Sequence, residues 1–361
     1  MKTKPSIPVL KNNRRNFLKS QVIFALGATM PGIAISEAHA GSAKPSSEPV
    51  WSANNMREKY QQCLGGPFPD QVPMNVQIRE IIQKDGYRIE SLTYQAQPGI
   101  KIPALLMVPD QVTAKNPAAA IAVWHQHNGE YHLGKNEPAG LAGNPMHHTG
   151  LALVREGYVV LCPDALCFEE RQDPLGKLKD SVYERFEFLK EVVRGRCMAW
   201  RNILEMKRAV DVLCSRPEVK PDRLGCYGHS MGSTHSWLVG PLEPRLKCIV
   251  GNCCMPTYEA IEAAHYLHCM PNYVPGWRNF GDTPDIVALI APRALHLNFG
   301  EKDFGSPVEA VRSGLQIIAE AYRNAGVSGN FTSFIEPDTG HVLSDLMWDK
   351  TKKCFEKHLK N

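Results

Sequence analysis

A chain of 361 residues with 43% hydrophobic and 22% charged residues has the composition of a globular protein rather than of a disordered one. Its formal net charge of +4 arises in residues 1–40, which contain six Lys and Arg residues and a single acidic residue, Glu37. The rest of the chain is almost charge-balanced, so its net charge gives no electrostatic attraction to nucleic acid or to an anionic membrane.

Residues 1–40 have the pattern of an export signal. An RRNFLK sequence at 14–19 precedes a moderately apolar stretch at 22–35, and an Ala-His-Ala sequence ends the segment at 38–40. Glycine and proline interrupt the apolar stretch, so it is a poor membrane-spanning helix. The segment resembles a twin-arginine signal, although Asn13 stands where Ser or Thr is usual. We expect a periplasmic or secreted protein without a stable membrane anchor after signal removal; the alternative is an uncleaved basic tail.

The next elements are a linker and a short helix. Residues 41–50 are rich in Ser and Pro, and residues 51–64 predict a helix that ends at Gly-Gly-Pro, so 41–75 is assigned as a linker and N-terminal helical extension. The main domain is expected over 76–361. It opens with two strands joined at Asp85-Gly86, a hairpin signal, and a third strand that ends at Pro109.

From residue 118 onward, apolar strands alternate with amphipathic helices. The predicted strands cover 118–127, 158–165, 223–228, 246–254, 292–300 and 330–337. The predicted helices cover 146–157, 181–215 with a break near Gly195, 230–240, 307–326 and 342–360. This alternation predicts an α/β fold whose mostly parallel central sheet carries helices on both faces and antiparallel N-terminal strands.

Residues 254–284 interrupt the alternation with a long segment that contains aromatic residues and proline. An excursion of this length between two core strands is typical of a functional loop. We therefore expect a lid-like insertion over a binding site.

The sequence Gly228-His229-Ser230-Met231-Gly232 fits the G-x-S-x-G pattern. A predicted strand precedes it and a predicted helix follows, which is the context that a nucleophilic serine requires on a sharp strand-to-helix turn. A serine between glycines is often only part of a tight turn. Its hydroxyl becomes an effective nucleophile only when a base, held by an acid, accepts its proton.

Candidates for that acid and base follow in the order Ser, acid, His. Asp303 lies in the loop after one predicted strand, and His341 lies in the loop after the next. Both loops are at the carboxyl ends of strands, where open α/β sheets bind ligands. Glu301 is the alternative acid, since Asp338 suits a turn, and His358 is the single histidine after His341.

These segments resemble the α/β-hydrolase superfamily, and most closely its dienelactone-hydrolase and acetylxylan-esterase-like members. The similarity covers most of residues 75–345, including GYRIESLTYQAQPGIKIPALLMVP, VWHQHNGEYHLGKNEPAG and RPEVKPDRLGCYGHSMG. It implies Ser230 as the nucleophile, His341 as the base and Asp303 as the acid that orients it. Dienelactone hydrolases proper use a cysteine nucleophile, so the serine favours ordinary ester hydrolysis.

An oxyanion hole needs two N–H donors directed at the developing charge. One is expected from Met231, and the other from Gln126 or His127 in the loop after the AIAVW stretch at 120–124. The sequence His125-Gln126-His127, with further histidines at 132, 147 and 148, also permits a metal-site interpretation. The chain offers no H-E-x-x-H motif, and we predict no metal and no cofactor.

The sequence also offers candidate substrate contacts. The candidates are Arg171, which is alternatively a structural ion-pair partner, and His229, His268 and Trp277. Other lid residues that could line a pocket are His265, Tyr266 and Tyr273. No disulfide is predicted among the 11 cysteines, and Cys162, Cys226, Cys248 and Cys253 are expected to be buried as small apolar residues.

Together, the motifs, their order and the resemblance predict an exported serine hydrolase that acts on carboxylic esters, with acetyl or methyl esters of carbohydrates favoured. The expected partner is a small-molecule or oligosaccharide ester, and the oligomeric state is left open. Two alternatives remain: a peptidase of the prolyl-oligopeptidase type, and an inactive α/β-hydrolase-fold binding protein. The chain before residue 120 is too short for the propeller domain that such peptidases carry.

Overall fold

The computed structural model describes residues 52–360. The signal predicted over 1–40 and the linker predicted over 41–50 lie outside this range. The strands are β1 (Gln77–Lys84), β2 (Tyr87–Gln97), β3 (Ile100–Pro109), β4 (Ala118–Trp124), β5 (Val159–Pro163), β6 (Val219–His229), β7 (Leu246–Asn252), β8 (Ala294–Gly300) and β9 (Phe331–Glu336). The α-helices are α1 (Ala53–Leu64), α2 (Thr149–Arg155), α3 (Asp180–Val193), α4 (Met198–Ser215), α5 (Met231–Val239), α6 (Tyr258–Ala264), α7 (Thr283–Ala288), α8 (Val308–Asn324) and α9 (Asp345–Phe355).

One sheet of nine strands organises the fold, in the order β1-β2-β3-β5-β4-β6-β7-β8-β9. The first three strands are antiparallel to one another, and β3 is antiparallel to β5. From β5 and β4 through to β9, all neighbouring strands are parallel. The predicted α/β-hydrolase architecture is therefore confirmed, with antiparallel strands at the N-terminal edge.

The amino-acid patterns explain these strands. The β8 sequence ALHLNFG and the β5 sequence VVLCP are buried at every position, as expected for parallel strands covered on both faces. The hairpin predicted at Asp85-Gly86 joins β1 to β2, and Gly86 has a φ of +82°, which suits a two-residue turn. The edge strand β1 is exposed along most of its length and carries charged side chains.

Helices cover both faces of the sheet. On one face, α1, α4, α5, α7 and α8 contribute to a large apolar core, and on the other, α2 and α9 pack on a second core. The N-terminal helix is part of the first core, since Tyr60 and Leu64 are fully buried and the Tyr60 hydroxyl donates to the Leu238 carbonyl at 3.1 Å. Within residues 52–360, no helix combines the length and the apolar character needed to cross a bilayer.

The 254–284 segment is a lid only in part. It contains α6 and two short 3₁₀ turns and leads into α7. Residues 266–269 border the pocket described below, whereas Tyr258, Val274 and Trp277 are buried in the main core. Most of the segment is therefore part of the domain core, and only residues 266–269 lie at the pocket.

Candidate active site

Ser230 lies on a strained turn between β6 and α5. Its φ of 56° and ψ of −119° place a non-glycine residue at positive φ, a conformation that costs on the order of 1–3 kcal/mol and occurs mainly at functional sites. The Ser230 N–H donates to the Asn252 carbonyl at 2.9 Å, and its own carbonyl accepts from the Thr234 N–H at 3.1 Å. These bonds fix the turn with the hydroxyl at the carboxyl edge of the sheet.

The two flanking glycines leave no space for a side chain. A Cβ at Gly228 would lie 2.0 Å from the carbonyl oxygen of Gly232, and a Cβ at Gly232 would lie 2.1 Å from the carbonyl oxygen of Trp124. Contacts this short do not occur, so the turn, the first residues of α5 and the end of β4 can pack together only with glycine at both positions. This close approach explains the G-x-S-x-G spacing.

His341 joins Ser230 to Asp303. The Ser230 hydroxyl lies 2.8 Å from His341 Nε2, and His341 Nδ1 lies 2.7 Å from Asp303 Oδ2. Asp303 is buried, and its other oxygen accepts from the Gly305 N–H at 2.9 Å. Since a carboxylate only accepts hydrogen bonds, this arrangement places the proton on His341 Nδ1 and leaves Nε2 free to accept the serine proton.

The alternative acids have other partners. Glu301 accepts hydrogen bonds from the Arg312 guanidinium at 3.1 Å and from the Asp338 N–H at 3.3 Å. The Asp338 carboxylate is exposed and pairs with Lys302 at 2.7 Å. Of these three acids, the one that contacts His341 is Asp303.

The residues expected to form an oxyanion hole lie around the start of α5. Met231 is the first residue of that helix, where backbone N–H groups have no intrahelical acceptor. The loop after β4 runs against the same turn, because a Cβ at Gly232 would also lie 3.1 Å from the His125 carbonyl oxygen. The Gln126 side chain points away and donates to Glu137 at 3.0 and 3.2 Å, so only its backbone is available to a ligand.

His125 and His127 both have protein partners at each ring nitrogen. His125 Nδ1 contacts the Gln126 carbonyl at 2.7 Å, and its Nε2 accepts from the Ala165 N–H at 3.0 Å. His127 Nδ1 accepts from the Gly129 N–H at 3.0 Å, and its Nε2 lies 3.0 Å from Glu184. Burial lowers the pKa of His125 to about 4, so its ring is neutral. These two histidines shape the loop after β4.

His229 lies beneath His341 rather than at the pocket surface. Its ring centroid is 5.1 Å from that of His341 and 4.6 Å from that of His147. Burial holds the pKa of His229 well below its usual value, and it lowers that of His147 to about 4. The Asn252 amide contacts His229 Nδ1 at 2.7 Å. The prediction that His229 contacts substrate is corrected, because the ring is buried under His341.

An open pocket of about 370 Å³ lies above Ser230. Its walls come from the loop after β4, the 266–269 segment and the loop after β8. His127 and His268 lie among the residues that line it, together with Ser230, His341 and Asp303. The structure therefore brings together at one pocket the serine, histidine and aspartate singled out in the sequence and two of the further candidates.

The Abhydrolase family model matches residues 37–338. The chain belongs to the Abhydrolase family. It is 26% identical over 309 residues to the Bacillus subtilis protein named "Putative hydrolase YtaP", covering 84% of this chain and 99% of that protein. This confirms the resemblance stated from the sequence motifs.

Solved structures share the Abhydrolase fold at low sequence identity. One is a protein named "putative acetyl xylan esterase" from Bacteroides fragilis, with a TM-score of 0.64 and 19% identity, over 79% of this chain and 74% of that chain. Another is a glucuronoyl esterase from Solibacter usitatus, with a TM-score of 0.59 and 15% identity, over 87% of this chain and 95% of that chain. At these identities the likeness establishes the fold.

Two candidate substrate contacts belong to the core of this Abhydrolase domain. Arg171 is 8% exposed, and its guanidinium forms a two-pronged ion pair with Glu205 at 2.6 and 2.8 Å. Trp277 is fully buried, packs edge-on against Tyr60 and donates from Nε1 to the Asp282 carbonyl at 2.8 Å. The predicted substrate contacts of Arg171 and Trp277 are thus corrected, because both side chains have their partners inside the protein.

Three further residues at the site, Asn252, Leu267 and Phe304, are not among those that the sequence motifs single out. Asn252 is the last residue of β7, and it pairs with His229 at the end of β6, next to Ser230. A polar residue at the end of an otherwise apolar strand is the sequence signal that points to it. Leu267 and Phe304 border the pocket. No local pattern marks these two, because which loops meet at the pocket depends on the tertiary fold.

Proposed function

We propose that this protein is a carboxylic ester hydrolase in which Ser230 is the nucleophile, His341 the general base and Asp303 the residue that orients the imidazole. The observation that carries the proposal is the continuous hydrogen-bonded chain from Ser230 through His341 to Asp303, with distances of 2.8 and 2.7 Å. The strained turn at Ser230 and membership of the Abhydrolase family support it.

The reaction proceeds by acyl transfer. Ser230 Oγ attacks the ester carbonyl while its proton moves to His341 Nε2, and Asp303 stabilises the resulting imidazolium through Nδ1. His341 then donates that proton to the departing alcohol oxygen, and the acyl group remains on Ser230. A water molecule, deprotonated by His341, releases the carboxylic acid and restores the serine.

The tetrahedral intermediate requires two N–H donors. The Met231 N–H supplies one, because the first turn of α5 directs its N–H groups and the positive end of its dipole toward the serine. The second comes from Gln126 or His127, whose loop packs against Gly232. Losing one such donor lowers kcat by roughly 10²–10³-fold.

The substrates favoured by this proposal are acetyl or methyl esters of carbohydrates outside the cytoplasm. The named functions of the structural neighbours, acetyl xylan esterase and glucuronoyl esterase, support the carbohydrate ester class. The twin-arginine pattern at 14–19 supports export to the periplasm or beyond. Replacing Arg14 and Arg15 by Lys should keep the protein in the cytoplasm, and unchanged export would contradict that part of the proposal.

The activity is tested by comparing the full chain with Ser230→Ala on 4-nitrophenyl acetate, an acetylated xylo-oligosaccharide and a peptide 4-nitroanilide. The protein should hydrolyse the esters and not the peptide, and Ser230→Ala should lower kcat by up to about 10⁶-fold. Ser313→Ala, an exposed serine on α8, is the matched control and should keep full activity. Ester hydrolysis by Ser230→Ala at the original rate would reject the mechanism, and cleavage of the peptide alone would reject the reaction class.

A further inference from the structure

We propose that the pocket beside Ser230 selects uncharged esters whose alcohol carries a ring, and that Leu267 and Phe304 contact the face of that ring. The inference rests on the proposed ester hydrolase function and adds the class of alcohol. Of the two ester types favoured above, it selects acetyl esters, whose alcohol is the sugar, over methyl esters, whose alcohol is methanol. It is drawn from four features of the pocket: two exposed apolar side chains, the bond that holds them together, the position of His341 and the charges on the walls.

Leu267 and Phe304 leave their apolar side chains in water at the pocket mouth. They are 83% and 84% exposed, respectively, and both border the pocket that contains Ser230. Exposed apolar groups that cluster at a cavity mark a surface that a ligand covers, since covering them recovers roughly 25 cal/mol per Å². A ring with an apolar face supplies that cover.

The two side chains are held on segments that are bonded together. Leu267 follows Tyr266, whose hydroxyl donates to the Gly305 carbonyl at 3.1 Å, and Gly305 follows Phe304. This bond links the two segments that carry Leu267 and Phe304 beside the pocket. An apolar contact surface formed in advance loses less entropy on binding than a mobile one.

The position of the catalytic histidine assigns this surface to the alcohol. His341 must reach the alcohol oxygen in order to protonate it, so the alcohol lies on the His341 side of the serine. Phe304 directly follows Asp303, whose carboxylate is bonded to His341. The β4 loop, which carries the candidate oxyanion donors, forms another wall of the pocket.

The pocket walls offer no cation to a charged substrate. None of the described residues that line the pocket is Lys or Arg, and His127 is engaged with the Glu184 carboxylate at 3.0 Å. Asp303 adds a negative charge behind His341. A carboxylate on the substrate would lose its hydration without gaining a partner, which disfavours anionic esters.

His268 is held neutral by its hydrogen bonds. Its Nδ1 accepts from the Cys269 N–H at 2.9 Å and from the Asn272 amide at 2.8 Å. The amide orientation is fixed because the Thr234 hydroxyl donates to the Asn272 side-chain oxygen at 3.1 Å. Burial also lowers the pKa of His268 to about 4. The ring therefore presents an uncharged wall to the substrate at neutral pH.

Matched acetates test the charge preference. Methyl 4-acetoxybenzoate and 4-acetoxybenzoate share the acetyl group and the ring, and only the second is an anion; each rate is divided by the rate of alkaline hydrolysis of the same compound. We expect kcat/KM to favour the neutral ester by at least about tenfold. Equal or better hydrolysis of the anion would overturn the proposal.

Ring contact is tested with Phe304→Ala and Leu267→Ala on the neutral aryl acetate and on 2,2,2-trifluoroethyl acetate, which has no ring. Each variant should lose about fivefold to tenfold in kcat/KM on the aryl ester, mainly through a higher KM, and much less on the trifluoroethyl ester. Leu175→Ala, at an exposed leucine away from the pocket, is the matched control and should lose nothing. Equal losses on both esters, or none, would overturn the proposal.

These outcomes separate the two proposals. Hydrolysis of the esters with no dependence on ring, charge or Phe304 overturns the substrate class and leaves the ester hydrolase function standing. Failure of the full chain to hydrolyse any of the esters overturns both.

Discussion

The strand-end loops that carry Ser230, Asp303 and His341 differ from the 254–284 segment in how their structure arises. Each loop follows an apolar strand, and the parallel sheet brings the strand ends to one edge, so local patterns position the three residues. The 254–284 segment is not positioned by strand ends of the sheet. Individual side-chain contacts, such as Trp277 against Tyr60, hold it in place. Chemistry is therefore expected to depend on the loops, and stability on most of the segment.

The largest expected effect is on kcat, and it comes from a change in one of the strand-end loops. Asp303→Asn should lower kcat by roughly 10⁴-fold, because an amide at this position donates to His341 and favours the wrong tautomer. Glu301→Gln, two residues earlier and bonded to Arg312, is the matched control and should stay within about threefold of the original kcat. Equal losses in the two variants would show that Asp303 has no special role.

On the segment side, Trp277→Ala should cost about 3–5 kcal/mol of unfolding free energy, since it removes a fully buried indole and its hydrogen bond. The kcat of the protein that remains folded should change by less than about threefold. Urea denaturation and ester kinetics on the same sample measure both. Leu267→Ala, exposed in the same segment, should leave the unfolding free energy within about 0.5 kcal/mol. Loss of kcat in folded Trp277→Ala would contradict the division between loops and segment.

Buried histidines near the sheet should make stability fall with acidity. Burial lowers the pKa of His125 and His296 to about 4 and that of His235 to about 3, below the value near 6.5 of an unfolded chain. The unfolded state therefore binds more protons between pH 6.5 and 4. Each such histidine contributes stability that is complete above pH 6.5 and decreases by about 2 kcal/mol by pH 5.

Urea denaturation between pH 7 and 5 measures this slope. His296→Gln should make the fall of unfolding free energy with acidity shallower by about one proton, whereas Ser313→Ala, which removes no titratable group, should leave it unchanged. An identical slope in the original protein and His296→Gln would show that the pKa of this histidine is the same in the folded and unfolded states, so that its burial does not affect titration.

The smallest effect is expected at Gly276, where the segment turns with a φ of +75°. The nearest atoms to an added Cβ are 3.8 and 4.0 Å away, so Gly276→Ala introduces backbone strain from the positive φ but no steric clash. It should cost about 1 kcal/mol of unfolding free energy and leave kcat unchanged. A loss well above this in urea denaturation would show that the segment is packed more tightly than its contacts indicate.

Much of the fold could be predicted from the sequence, because strand and helix periods are local. The hairpin at Asp85-Gly86 and the strand-turn-helix around Ser230 have sequence signals that act over a few residues. The acid choice was also accessible, since chain order and loop position favoured Asp303 over Glu301. The structure brings Asp303, and not Glu301, to His341.

Side-chain partners could not be predicted in this way. The sequence leaves Arg171 open between a substrate contact and a structural ion pair, because its partner, Glu205, lies 34 residues further along the chain and meets it only in the folded core. Trp277 looked like a lid residue because nothing local shows that Tyr60 lies against it. Leu267 and Phe304 acquire meaning only when the tertiary fold brings their two segments to one pocket.

The most direct test of the central claim is the intact mass of the folded protein after brief exposure to a fluorophosphonate, followed by peptide mapping. An activated serine reacts covalently with this reagent, whereas the other exposed serines do not. We predict one label per molecule, located on Ser230, with labelling abolished in Ser230→Ala and strongly slowed in His341→Ala. Absence of labelling in the folded protein, or a label on another serine, would contradict the assignment of Ser230 as the nucleophile.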